Sequence, residues 1–155
     1  MERPRKRPAR RTRPRAPRRP KPVTAPRPTP AERRLLSLAR EIARLPLAAA
    51  LETLAAAWAP GGPLLHDVAE AWIRGRSNKT AALALAWARE QVRLSLQEII
   101  EAMPRNKRGR IEAMPDTLAW VLLAGCEAIA HEPPSAVADR VRALLELSGH
   151  AAPTD

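Results

Sequence analysis

The sequence predicts an all-α protein: a bundle of six to seven helices with short connections, preceded by a disordered Arg/Pro-rich arm. Three observations carry this. From Ala31 onward, apolar residues recur at spacings of three and four, the period of an amphipathic helix. This part is rich in Ala and Leu and poor in Gly and β-branched residues, and the chain has no Phe or Tyr, a composition that disfavours strands. Gly and Pro fall between the periodic stretches, where helices stop and start.

Taken in order, Ala31 to Leu45 places Leu35, Leu38, Ile42 and Leu45 on one stripe, and Pro46 interrupts it. Leu47 to Ala59 continues as an Ala-rich helix carrying Leu47, Leu51, Leu54 and Trp58, stopped by Pro60-Gly61-Gly62. Pro63 suits the first turn of a helix running to Arg74, with Leu65, Val68, Ala69 and Trp72 on one side. Gly75 ends it, and Ser77 or Asn78 caps the next. Residues 78–103 form the longest helix. Leu85, Val92, Leu96, Ile99 and Met103 make one seam, while Leu83, Trp87 and Leu94 lie on an adjacent face, so this helix is expected to pack on more than one neighbour. A basic turn, Pro104 to Arg110, carries Arg105, Lys107, Arg108 and Arg110. Pro115-Asp116 opens a helix to about Glu132, whose stretch from Leu118 to Cys126 is apolar on all sides, the mark of a helix buried in the domain or against a partner. Pro133-Pro134 breaks the chain, Ser135 caps the last helix with its stripe Val137, Val141, Leu144 and Leu145, and Gly149 stops it. Residues 150–155 are expected to be disordered.

The formal charge of +11 divides sharply. Residues 1–30 hold 12 Lys+Arg and one acid, Glu2, hence 12 − 1 = +11, together with nine of the 17 prolines. Residues 31–155 hold 15 charges of each sign and sum to zero. The first thirty residues have almost no large aliphatic side chains to repay ordering. Their charge suits phosphate binding by counterion release, indifferent to base sequence. The nucleic-acid candidates are therefore Arg3, Arg5, Lys6, Arg7, Arg10, Arg11, Arg13, Arg15, Arg18 and Arg19.

Other function classes find little support. One cysteine, Cys126, excludes an intramolecular disulfide and a zinc ribbon. Its apolar surroundings suggest a buried thiol. His66 and Glu70, at i and i+4, lack further metal ligands and read as a surface pair; His131 before Pro133 suits a helix C-terminus. Gly61-Gly62 lacks the Lys-Ser/Thr of a phosphate loop, and no nucleophile–base pattern or Gly-x-Ser-x-Gly occurs, so neither an enzyme nor a cofactor is expected. Arg pairs near the start superficially match a twin-arginine signal, but Arg40, Glu41 and Arg44 interrupt the apolar run that should follow. A cytoplasmic location, with nucleoid association as the alternative, is the expectation, with no membrane span.

The order and wording of the helices resemble the C-terminal domain of TetR-type transcriptional regulators. Residues 61–103 look like that domain's middle helices: a tryptophan-bearing helix, a polar turn and a long Arg/Glu-studded helix. Residues 108–131 look like the approach to its dimer interface, with Pro115, Asp116, Leu118, Ala119, Leu122 and Gly125 at the matching places. The resemblance implies a homodimer through helices 116–132 and 135–148, with Leu118, Val121, Leu122, Gly125, Val137, Val141, Leu144 and Leu145 at the interface. It also implies a pocket for an apolar small-molecule effector bounded by helices 47–59, 63–75 and 78–103. Leu54, Trp58, Trp72, Leu83 and Trp87 are its candidate walls.

The family's helix-turn-helix is not matched; the Arg/Pro arm stands in its place, so operator reading by the usual route is not expected. Three functional readings stay open: a ligand-binding and dimerisation domain, with any DNA contact through the arm; a basic-tailed nucleic-acid-binding or nucleoid-type protein; and a helical adaptor or heterodimer partner of an intact regulator. A truncated or frame-shifted regulator would give the same sequence pattern.

Overall fold

A computed structural model describes residues 27–104 and 114–149. The arm residues from Arg3 to Arg19, the basic turn residues Arg105, Lys107, Arg108 and Arg110, and residues 150–155 lie outside the described residues. Among the described residues the fold is all-α, with six helices: α1 (Pro30–Ile42), α2 (Leu47–Ala57), α3 (Pro63–Gly75), α4 (Lys79–Ala102), α5 (Pro115–Ala128) and α6 (Val137–Leu147). Short 3-10 turns at Ile129–His131 and Pro134–Ala136 join the last two. None of these helices is long and apolar enough to cross a membrane.

Local chemistry sets the helix ends. Thr29 caps α1 by accepting from the Glu32 amide at 3.3 Å, while its hydroxyl donates to Glu32 Oε1 at 2.9 Å. Pro30 occupies the first turn, where its missing amide costs nothing. Asn78 caps α4 by accepting from the Ala81 amide at 3.1 Å. Gly61 takes φ +74 in the turn after α2, a conformation that L side chains rarely adopt. The α1 stripe stops at Ile42 rather than Leu45, and α2 at Ala57 rather than Ala59. Ser135 does not cap the last helix: it sits inside the 3-10 turn, and α6 begins after Ala136 without a side-chain cap.

The core lies among α1, α2, α4 and α5. Leu35 and Ile42 of α1, Leu51 and Leu54 of α2, Val92, Leu96 and Ile100 of α4, and Leu122 and Leu123 of α5 are essentially fully buried. Helix α4 packs on α1, α3 and α5, but much of its second apolar face stays uncovered among the described residues: Leu83 is 71 % exposed and Trp87 57 %, while Leu94 is partly buried. Ala88, on the opposite side, is buried instead. The helical period marks both faces as apolar but does not say which one the tertiary packing will cover.

Candidate functional site: a cleft between α3 and α4

The Leu65, Val68, Ala69 and Trp72 stripe of α3 does not close against α4. It lines a cleft of about 770 Å³, faced by Ala82, Leu85, Ala86, Arg89 and Glu90 of α4. Leu35 of α1 and Trp58 at the end of α2 add apolar wall; Glu127 and His131 enter from the end of α5. Side-chain size explains the gap. Ala82 and Ala86 are too short to reach the large side chains of α3, whereas at the α3–α4 corner the two backbones run close together. A Cβ added to Gly75 would lie 3.3 Å from that of Ala82.

The polar part of the cleft is organised by Arg89. Its Nε and Nη2 donate to the two carboxylate oxygens of Glu127 at 2.6 and 2.7 Å, a bidentate pair joining α4 to α5. The hydrogen bonds that Arg89 donates to Glu127 hold its pKa above the ordinary value, against the opposing pull of burial. Arg93 donates to Glu90 at 2.6 Å, and this bond draws the Glu90 carboxyl below the usual carboxylate range. Trp58 is only 5 % exposed, and its indole Nε1–H is buried with no hydrogen-bond partner among the described residues. Orphaned buried donors of this kind are uncommon in folded chains.

Of the five candidate pocket residues, the structure brings Trp58 and Trp72 to the cleft. Leu54 is fully buried in the core. Leu83 and Trp87 point away to solvent, because they lie on the face of α4 opposite Leu85 and Ala88. The cleft walls include α1 and the end of α5 as well as the three expected helices.

The candidate dimer residues also divide. Leu118, Leu122 and Leu144 are buried within the single chain. Gly125 is the close-approach point between α5 and α6: a Cβ there would collide with the Leu144 side chain of the same chain. Val137, Val141 and Leu145 are partly buried against the chain's own core. Val121 remains exposed, next to Trp120, and Ala124 and Ala128 continue that outward stripe at helical spacing. The run from Leu118 to Cys126 thus has one buried face and one exposed apolar face.

Cys126 is fully buried, its Sγ 4.0 Å from the Leu51 carbonyl oxygen, and burial pushes the thiol up to about 12, with the Glu127 charge adding to the effect. Glu70 does not pair with His66; it accepts from Arg74 at 2.9 Å, one turn further along α3. Glu132 pairs with Arg140 at 3.2 Å. No cluster of three metal-ligating side chains occurs among the described residues. Comparison with family models, curated proteins and solved structures finds no match to the chain.

Proposed function

We propose that this chain is a ligand-binding and dimerisation domain of the TetR type, acting in transcriptional regulation and taking an apolar small molecule in the α3–α4 cleft. The observation that carries the reading is the cleft itself. Its volume falls in the ~300–1,000 Å³ range of small-molecule sites, and its walls are mostly apolar with a few convergent polar groups. A second copy would dock on the outward stripe of α5, through Trp120 and Val121, and any contact with DNA is assigned to the arm. An effector acts by preferring one of two helix arrangements.

The test is a titration with a neutral apolar fluorophore, N-phenylnaphthylamine, read by its own emission. Saturable binding is expected for the wild type and loss of binding for Ala86→Trp, which fills the cleft from an exposed position. Equal binding by both proteins contradicts the reading. Sedimentation should show a dimer that Val121→Glu converts to monomer.

The exposed Leu83 and Trp87 favour a second reading, a helical adaptor, since adjacent large apolar side chains in solvent often mark a docking surface. Leu83→Lys with Trp87→Lys separates the two: fluorophore binding and dimerisation survive the change under the first reading. Under the second, a co-purifying protein partner is lost while the cleft binds nothing.

A further inference from the structure

We infer that the cleft takes an amphipathic monocarboxylate, with its apolar body beside Trp72, Leu85 and Ala86 and its carboxylate on the free edge of the Arg89 guanidinium; this rests on the cleft being a ligand site. The charges in the walls decide the sign. Both lining carboxylates are already engaged, Glu127 by Arg89 and Glu90 by Arg93. Arg76, at the mouth, has no ion-pair partner among the described residues. A cationic headgroup would compete with the arginines already on these carboxylates, whereas an anionic one meets unused guanidinium donors beside carboxylates whose charge is already matched.

Arg89 is built for such a contact. A guanidinium carries five N–H donors in a fixed plane. Glu127 takes one from Nε and one from Nη2, which fixes the plane and leaves the other three without a partner among the described residues. The Arg89 side chain keeps 38 % of its surface accessible, so a ligand can reach it. Along α4 the lining runs from Ala82, Leu85 and Ala86 to Arg89 one turn later, so an apolar stretch leads directly to the charge.

Three probes with alkyl chains of equal length decide the matter: dodecanoate, dodecanol and dodecyltrimethylammonium. Each is titrated into the full chain below its micellar concentration and at high ionic strength, which screens the arm. Tryptophan emission is the readout, since residues 1–30 contain no Trp. Dodecanoate is expected to bind at least ~10-fold tighter than dodecanol, and the ammonium weakest. Arg89→Met should bring dodecanoate to within about twofold of dodecanol and leave dodecanol binding intact. Arg89→Met combined with Glu127→Gln, which leaves no unpaired carboxylate behind, should do the same if the single variant fails to fold. Equal affinity for the three probes, a preference for the ammonium, or a dodecanoate preference that survives both variants overturns the carboxylate assignment while the cleft remains a ligand site. Absence of binding by all three, dodecanol included, overturns the cleft reading as well.

Discussion

Helices α1 and α3 begin alike and end in different roles. Each has 13 residues, each opens on a proline, and each carries an apolar stripe at helical spacing. Yet α1 buries Ala31, Leu35, Leu38, Ala39 and Ile42, whereas α3 buries only Leu64 and Ala71. The difference lies in what each stripe meets. The α1 stripe packs into the core against α4, with α2 beside it; the α3 stripe faces Ala82, Leu85 and Ala86 of α4. Burial is what stabilises a helix in a folded chain, far more than its own propensity. So α1 is part of the foundation, and α3 is a wall held by Leu64 and Ala71, by the partly buried Leu65 and Val68, by its close approach to α4 at Gly75, and by the ion pair from Arg34 Nε to Asp67 Oδ2 at 2.6 Å. An ion pair at the surface contributes only ~0–1 kcal/mol, so α3, with two buried residues against five in α1, is the less firmly anchored of the two.

The largest expected effect breaks the core and spares the wall. Leu122→Ala should cost ~2–5 kcal/mol in chemical denaturation, and Val68→Ala on α3 less than ~1 kcal/mol. Equal costs would mean that α3 belongs to the core. Next in size is Gly125→Val. A side chain there meets Leu144, so the variant should lose ~1–3 kcal/mol and loosen α6, seen as faster amide exchange in Val137–Leu147. A stable Gly125→Val protein would show that Leu144 can move aside freely.

The smallest effect concerns the cleft rim. The Glu90 carboxyl has a lowered pKa in the folded chain, chiefly through its bond from Arg93. Its stabilising contribution is therefore fully present above the unfolded carboxylate value, about 4.3, and is lost as pH falls through the lowered one. Comparing Tm at neutral and strongly acidic pH, Glu90→Gln should show a slightly shallower acid loss than wild type. The effect stays small because this side chain is 45 % exposed.

Much of this contrast was legible in the sequence. The helices, the Pro46 and Gly75 breaks, the Asn78 cap and the Leu65–Val68–Ala69–Trp72 stripe follow from local period and cap chemistry. Which apolar residue meets which neighbour does not. Leu54 and Trp58 share a helix face in sequence, but only Trp58 reaches the cleft. Leu83 and Trp87 mark an apolar face of α4 that the fold leaves in solvent, and period alone cannot distinguish a covered face from a bare one. Arg89 and Glu127 stand 38 residues apart, so their pairing exists only through tertiary packing of α4 on α5. Ser135 offered a hydroxyl at a plausible cap, but Pro133 and Pro134 tighten the turn and move the helix start past it.

The central claim is that α3 is an open wall which a ligand completes. Amide hydrogen exchange across Pro63–Gly75 and Pro30–Ile42, with and without saturating N-phenylnaphthylamine, tests it most directly. In the free chain α3 should exchange much faster than α1, and the probe should slow α3 while leaving α1 little changed. Protection of α3 equal to that of α1 in the free chain, unaltered by the probe, would contradict it.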